Sequence, residues 1–98
     1  MVITTLEAEL SPEQGKQITA AYNKQTSALG GAQAPLESFL VQQRDANVWR
    51  IITVWESREA LEAMRTSGET PRGIVIFKAV GAEPKLSLFD VTAQYSSR

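Results

Sequence analysis

The run from Thr53 to Arg65 constrains the fold of this chain more than any other stretch. It begins in a segment rich in Val, Ile, Thr and Trp, which suits a pleated, half-buried strand ending near Trp55. Ser57 follows as a helix N-cap, and Leu61 and Met64 then mark the apolar stripe of a short helix. The run therefore predicts a strand that leads directly into an amphipathic helix, a unit typical of α+β domains.

The N-terminal part of the chain predicts a strand followed by another helix. Apolar and polar residues alternate from Val2 to Leu10 with the period of a half-buried strand. Residues 11–14 then form an S-x-x-Q capping box, with proline at the first helical position. Four residues at helical spacing form the buried stripe of this helix: Ile18, Tyr22, Gln25 and Leu29. Gly30 and Gly31 offer the left-handed cap that would end it.

The remaining segments complete the order strand, helix, strand, strand, helix, short helix, strand. Residues 36–43 and 48–56 predict two strands joined by a turn at 44–47, where Asp and Asn are turn formers. Residues 73–81 suit a strand by their Ile-Val-Ile run and a short helix by their apolar spacing. Because proline and glycine flank the segment, we predict the helix. Residues 85–93 alternate again and form the last strand.

This order predicts a single domain over residues 1–98, of the α+β class. It would have a ferredoxin-like antiparallel four-stranded sheet with helices on one face. The other sheet face would then be apolar and bare in a monomer, which is typical of a partner surface. A chain of 98 residues also buries only a modest core. Both arguments predict a homodimer.

The hairpin sorts the residues of its two strands between the faces, provided that its turn is even and Gln43 lies opposite Val48. An odd turn would swap one strand relative to the other. One face then carries small hydroxyls and two tryptophans, as a ligand pocket would. The substrate-binding candidates are four residues of this face and one residue from each of the two longer helices. They are Trp55, Trp49, Tyr22, Thr53, Ser38 and Met64. The candidates for a dimer interface on the other face are Phe39, Val41, Arg50, Ile52 and Val54.

These candidates also have purely structural interpretations. The two tryptophans would fill the space between sheet and helices, and Tyr22 would be a core residue with its hydroxyl at the rim. Arg50 in an apolar seam needs an opposite charge, for which Glu37 of the partner subunit is one candidate. Arg72 would either reach an anionic ligand or be solvated, as most arginines are.

Composition excludes several classes of function. Without histidine or cysteine, the chain has no Ser-His-Asp or Cys-His mechanism, no disulfide and no iron–sulfur ligand. No carboxylate cluster predicts a metal site. The net charge is −1 with the charges scattered, so nucleic acid is not an expected partner. No apolar run is long enough to span a membrane, and the N-terminus is unlike a signal peptide, so a cytoplasmic location is expected.

The stretches Trp55-Glu56-Ser57, Glu59-Ala60-Leu61 and Gly81-Ala82-Glu83-Pro84 resemble the antibiotic-biosynthesis-monooxygenase-like (ABM) family of dimeric α+β barrels. The resemblance extends from Val2 to about Ala93. It implies a homodimer. For some members it also implies oxidation of phenolic or quinol compounds by molecular oxygen, without metal or flavin, in a site that holds the aromatic and excludes water. No cofactor is therefore expected.

Two positions depart from the pattern of that family. Many members carry a glutamate where Thr53 stands and a histidine where Met64 stands, and a Thr–Met pair cannot move a proton. Relatives that degrade haem need a histidine axial ligand, so haem degradation is not expected. The functions that remain are a cofactor-independent monooxygenase acting on a hydroxylated aromatic or quinol, a non-catalytic dimer that binds a small aromatic or apolar ligand, and a structural or regulatory dimer module.

Overall fold

The computed structural model describes residues 1–27, 35–68 and 71–97. Its elements are β1 (Val2–Glu9), α1 (Pro12–Thr26), β2 (Glu37–Gln42), β3 (Val48–Trp55), α2 (Arg58–Arg65), α3 (Arg72–Ala79) and β4 (Lys85–Asp90). The predicted order of elements is confirmed, and the segment predicted as a short helix at residues 73–81 is helical from Arg72 to Ala79. Leu29 and the glycine cap predicted at Gly30 and Gly31 lie outside the described residues. No helix in the described ranges is long and apolar enough to cross a membrane.

The four strands form one antiparallel sheet in the order β2-β3-β1-β4. All three helices lie on one face, because buried residues of α1 and α3 join the same apolar cluster as Leu6 and Ile51, and Leu61 of α2 packs with Trp55. The ferredoxin-like α+β fold predicted from the sequence is therefore confirmed. The edge strands are β2 and β4, and β3 and β1 lie in the centre of the sheet.

The hairpin between β2 and β3 has the predicted even turn. The Gln43 N–H donates to the Val48 carbonyl at 2.8 Å, and Asp45 in the turn adopts a left-handed φ of 63°. Trp55 is then on the helix side of the sheet, whereas Val54 lies on the bare side opposite Glu37. The assignment of residues to the two faces is confirmed, since a shift of one residue would have reversed it.

Side-chain caps start the first two helices where the sequence predicts them. The Gln14 N–H donates to Ser11 Oγ at 3.2 Å, and the Ser11 N–H donates to Gln14 Oε1 at 2.8 Å, which completes the capping box. In α2 the Ala60 N–H donates to Ser57 Oγ at 3.1 Å. Each bond satisfies a backbone group that the first helical turn leaves without a partner. Both helices therefore begin for local reasons.

The core divides into two clusters of buried apolar residues. The larger cluster contains the three most completely buried side chains, Phe77, Ile18 and Ile76, which belong to α3 and α1. The smaller cluster consists of Val2, Trp55 and Leu61, with Met64 packed against it. Helices α1 and α3 thus rest on one part of the sheet, and α2 rests on the part near Trp55.

The strand bounds differ from the prediction by one residue in β1, β2 and β3 and by more in β4. Strand β4 ends at Asp90 rather than Ala93, because Asp90 already lies opposite Val2, where β1 begins. Arg50 finds an opposite charge within its own chain, because its Nε donates to Glu7 Oε1 at 2.6 Å. Glu7 and Arg50 are directly opposite across β1 and β3, a pairing that the sequence does not reveal without the strand order.

Candidate functional site

A cavity of about 270 Å³ lies between the sheet and the three helices. Its walls are mainly aliphatic and come from both core clusters, including Leu6, Ile51 and Leu61. Leu86 and Leu88 of the edge strand β4 also line it, although they are 47% and 48% exposed. The cavity is therefore apolar, and it is open to solvent along β4, a form typical of small-molecule sites.

A row of hydroxyl groups crosses the floor of this cavity. Thr4, Thr53 and Ser38 lie side by side in β1, β3 and β2, since Thr4 and Ser38 are both opposite Thr53. The Tyr22 hydroxyl donates to Ser38 Oγ at 2.9 Å, and the Trp55 indole N–H donates to Thr4 Oγ1 at 3.1 Å. An aromatic side chain therefore holds each end of the row in place.

The hydroxyl of Thr53, in the middle of the row, is left available. None of the residues that the structure describes forms a hydrogen bond with this hydroxyl, and it is not buried without a partner. It therefore faces the open space of the cavity, which Thr53 lines. A hydroxyl both donates and accepts. The floor thus offers a polar anchor for a ligand oxygen within an otherwise apolar chamber.

Five of the six substrate-binding candidates line the cavity. They are Trp55, Tyr22, Thr53, Ser38 and Met64. Trp49 does not line it, because its ring lies against Gly15 of α1, where an added Cβ would be 3.3 Å from Trp49 Cζ2. Both tryptophans are on the helix side of β3, but only the packing of the helices shows that α1 covers one of them.

The sequence reasoning missed several lining residues. The alternation of β1 in the sequence indicates that Thr4 lies on the helix side of the sheet. Its position beside Thr53, however, depends on the strand order. Arg65 and Gly73 also line the cavity, and no sequence pattern distinguishes them as site residues. Gly73 lets α3 approach β1 closely, because an added Cβ would collide with Leu6 Cδ1. Its lack of a side chain therefore maintains the shape of the cavity.

Two arginines line the cavity from the helices. The Arg72 Nη1 donates to the backbone carbonyl of Gln25 at 2.9 Å, which ties the start of α3 to the end of α1. Arg65 Nη1 lies 3.4 Å from Glu62 Oε1, and both side chains are about half exposed. Among the described lining residues there is no Asp or Glu. The described part of the site consequently has positive charge and no carboxylate that could act as a base, and the described ranges contain no acidic cluster suited to a metal ion.

The sheet order and the cavity together define a ferredoxin-like α+β domain with an apolar cavity between sheet and helices. A family model described as antibiotic biosynthesis monooxygenase matches residues 1–72. The chain belongs to this family, and α3 and β4 lie beyond the matched region, apart from the first residue of α3.

Solved structures extend the likeness over the whole chain. A haem-degrading protein from Mycobacterium tuberculosis is 18% identical, with a TM-score of 0.71, and the match covers 98% of this chain and 96% of that one. An antibiotic biosynthesis monooxygenase has 14% identity, a TM-score of 0.64 and coverage of 95% and 100%. A mutant of SnoaB, a cofactor-independent oxygenase from Streptomyces nogalater, has 17% identity, a TM-score of 0.56 and coverage of 95% and 92%. No curated protein matches the chain. At these identities the likeness shows the fold alone.

Proposed function

We propose that this protein is a cofactor-independent monooxygenase that oxidises a hydroxylated aromatic or quinol bound in the cavity. The observation that carries the proposal is the row of hydroxyls beneath an indole wall, with the Thr53 hydroxyl available at its centre. A flat ring would lie against Trp55, and a ring oxygen would bond to Thr53. Membership of the family supports this reading, because the family includes cofactor-independent oxygenases.

The chemistry asks little of the protein beyond binding and exclusion of water. In an anthrone-type substrate, a ring CH₂ group becomes C=O. One atom of O₂ supplies the new carbonyl oxygen, and the other leaves as water with the two hydrogens. The electrons come from the substrate, so no external reductant is needed. The Tyr22–Ser38 and Trp55–Thr4 hydrogen bonds hold the polar floor rigid, which favours a single ring orientation.

Oxygen uptake tests this proposal directly. Metal-free protein is mixed with a panel of hydroquinones and anthrone-type polyphenols in an oxygen electrode, and products are followed by mass spectrometry. We expect consumption above the buffer rate for at least one compound, with one oxygen atom incorporated from ¹⁸O₂. The matched variants are Tyr22→Phe, which removes a hydroxyl from the site, and Tyr95→Phe, whose side chain is 89% exposed. If no compound in the panel raised oxygen consumption above the buffer rate, the monooxygenase proposal would be rejected.

The same cavity supports a second function, which is binding without catalysis. Thr53 and Met64 both line it, and neither side chain moves a proton at neutral pH. A protein that sequesters an aromatic ligand needs only the apolar walls and the polar anchor. Quenching of tryptophan fluorescence by a ligand that is recovered unchanged would favour this function over the monooxygenase.

We further propose that residues 1–98 form one domain that works as a homodimer through the bare face of the sheet. On that face Phe39 and Phe89 are 47% and 53% exposed, and Ile52 and Val54 are only partly covered. A monomer would leave this apolar surface exposed to water. Burying it between two such faces contributes a favourable free energy of about 25 cal/mol per Å² of apolar surface, before the costs of association.

Val54→Asp is expected to dissociate or unfold this dimer. The new carboxylate would enter an apolar seam opposite the carboxylate of Glu37, and burying a charge next to one of the same sign is strongly unfavourable. Val54→Thr, which has a similar shape and no charge, is the matched control and should remain dimeric. Sedimentation velocity at micromolar concentration, with circular dichroism to follow folding, makes the measurement. A monomeric wild-type protein, or a Val54→Asp protein that remains a folded dimer, would contradict the proposal.

A further inference from the structure

The charge around the cavity does not follow the charge of the chain. The whole sequence carries slightly more acidic than basic residues, with a net charge of −1. The described lining nevertheless contains Arg65 and Arg72 and no Asp or Glu. Because the described lining carries positive side chains and no negative ones, it favours anions over cations, and since both arginines are exposed, salt should weaken this preference.

Arg72 is the more available of the two cations. It spends one of its five N–H donors on the neutral carbonyl of Gln25, and no carboxylate among the described residues pairs with it. The bond to α1 also holds the guanidinium in place without neutralising it. Arg65, by contrast, shares its charge with Glu62. A held but unpaired guanidinium is well suited to bind a carboxylate through two parallel hydrogen bonds.

The cation and the hydroxyl row belong to different walls of the cavity. The hydroxyls of Thr4, Thr53 and Ser38 lie on the sheet, whereas Arg72 begins α3, which packs over it. A ligand that satisfies both walls therefore needs ring oxygens on one side and an anionic group on another. A simple hydroquinone has the first feature and lacks the second.

We propose that the cavity selects hydroxylated aromatics that carry a carboxylate, and that Arg72 binds that carboxylate. This inference rests on the proposed aromatic-binding site, but it does not depend on turnover. Arg72 acts here as a specificity-determining residue. Its guanidinium contributes binding to the acid that a neutral analogue of the same ring system cannot use.

Anaerobic titration calorimetry tests the inference with two matched probes. One probe is 1,4-dihydroxy-2-naphthoic acid, and the other is 1,4-dihydroxynaphthalene, which lacks the carboxylate. We expect the wild-type protein to bind the acid about tenfold tighter or more, as charge-assisted hydrogen bonds typically allow. Added salt should reduce the preference, because Arg72 is exposed to solvent.

Three variants make the assignment specific. Arg72→Gln should bring the two affinities together, mainly by weakening the binding of the acid. Arg72→Lys should retain part of the preference for the acid. Arg44→Gln, in the exposed hairpin turn, should keep the wild-type ratio. Should Arg72→Gln fail to fold in circular dichroism, Arg72→Lys carries the test through an intermediate ratio. Equal affinities in the wild type, binding of neither probe, or an unchanged preference in the Arg72 variants would overturn the inference.

The outcome separates this inference from the proposed enzyme activity. A protein that prefers the acid under nitrogen but consumes no oxygen in air keeps the inference and loses the monooxygenase. A protein that oxidises neutral quinols without any preference for the acid keeps the monooxygenase and loses the inference.

Discussion

The Phe77→Ala protein is expected to lose about 3–5 kcal/mol of unfolding free energy, the usual cost of removing a fully buried aromatic ring. Phe77 is 0% exposed and lies in the larger core cluster, where α1 and α3 meet the sheet. A small domain has a total stability of only about 5–15 kcal/mol, so the variant would be close to unfolding at room temperature.

Urea denaturation followed by circular dichroism measures this loss, and Tyr95→Ala is the control. Tyr95 is 89% exposed, so its truncation should change the unfolding free energy by less than about 0.5 kcal/mol. A Phe77→Ala protein within 1 kcal/mol of the wild type, a margin of about fivefold in the folding equilibrium, would show that α3 does not anchor the core as described.

Trp55→Ala is expected to have two large effects, one on stability and one on the cavity. Trp55 is 6% exposed and packs with Val2 and Leu61, so its removal should cost about 3–5 kcal/mol. It also removes the indole wall and the N–H that holds Thr4 in the hydroxyl row. Under the proposed function, ligand affinity should fall by about tenfold or more, the loss expected for an aromatic wall and one hydrogen bond.

Trp49→Ala is the matched control for the second effect. It removes the same side chain from the same face of β3, but Trp49 packs on Gly15 and does not line the cavity. It should lower stability while leaving the affinity of the folded protein close to that of the wild type. Equal losses of affinity in the two variants, measured by calorimetry at a temperature where both are folded, would contradict the placement of the ligand.

Much of the local structure was readable from short stretches of the chain. The helix starts at Ser11 and Ser57 depend on side chains three residues from the groups that they cap. The even turn at 44–47 likewise set the register of β2 and β3, and with it the separation of Trp55 from Val54. These features involve neighbours in sequence, so the residues themselves carry the signal.

The site was less predictable, because its parts come from distant segments. The sequence nominated five residues that do line the cavity, yet it could not separate Trp55 from Trp49, since both alternate onto the same face of β3. It also could not bring Thr4 next to Thr53. Only the position of each residue along the strand, relative to the helices above it, distinguishes a cavity wall from a filled core.

The sequence therefore specified the elements, their faces and the family resemblance, whereas the tertiary structure decided what meets across the sheet. The order β2-β3-β1-β4 makes β1 the neighbour of β3, which pairs Arg50 with Glu7 and aligns the hydroxyls of Thr4, Thr53 and Ser38. The packing of α3 on the end of α1 likewise leaves Arg72 tied to a neutral carbonyl at the cavity. Caps and alternation arise from local hydrogen bonds and side-chain period, whereas strand order and helix packing depend on burying apolar surface from distant segments together, which no short segment encodes.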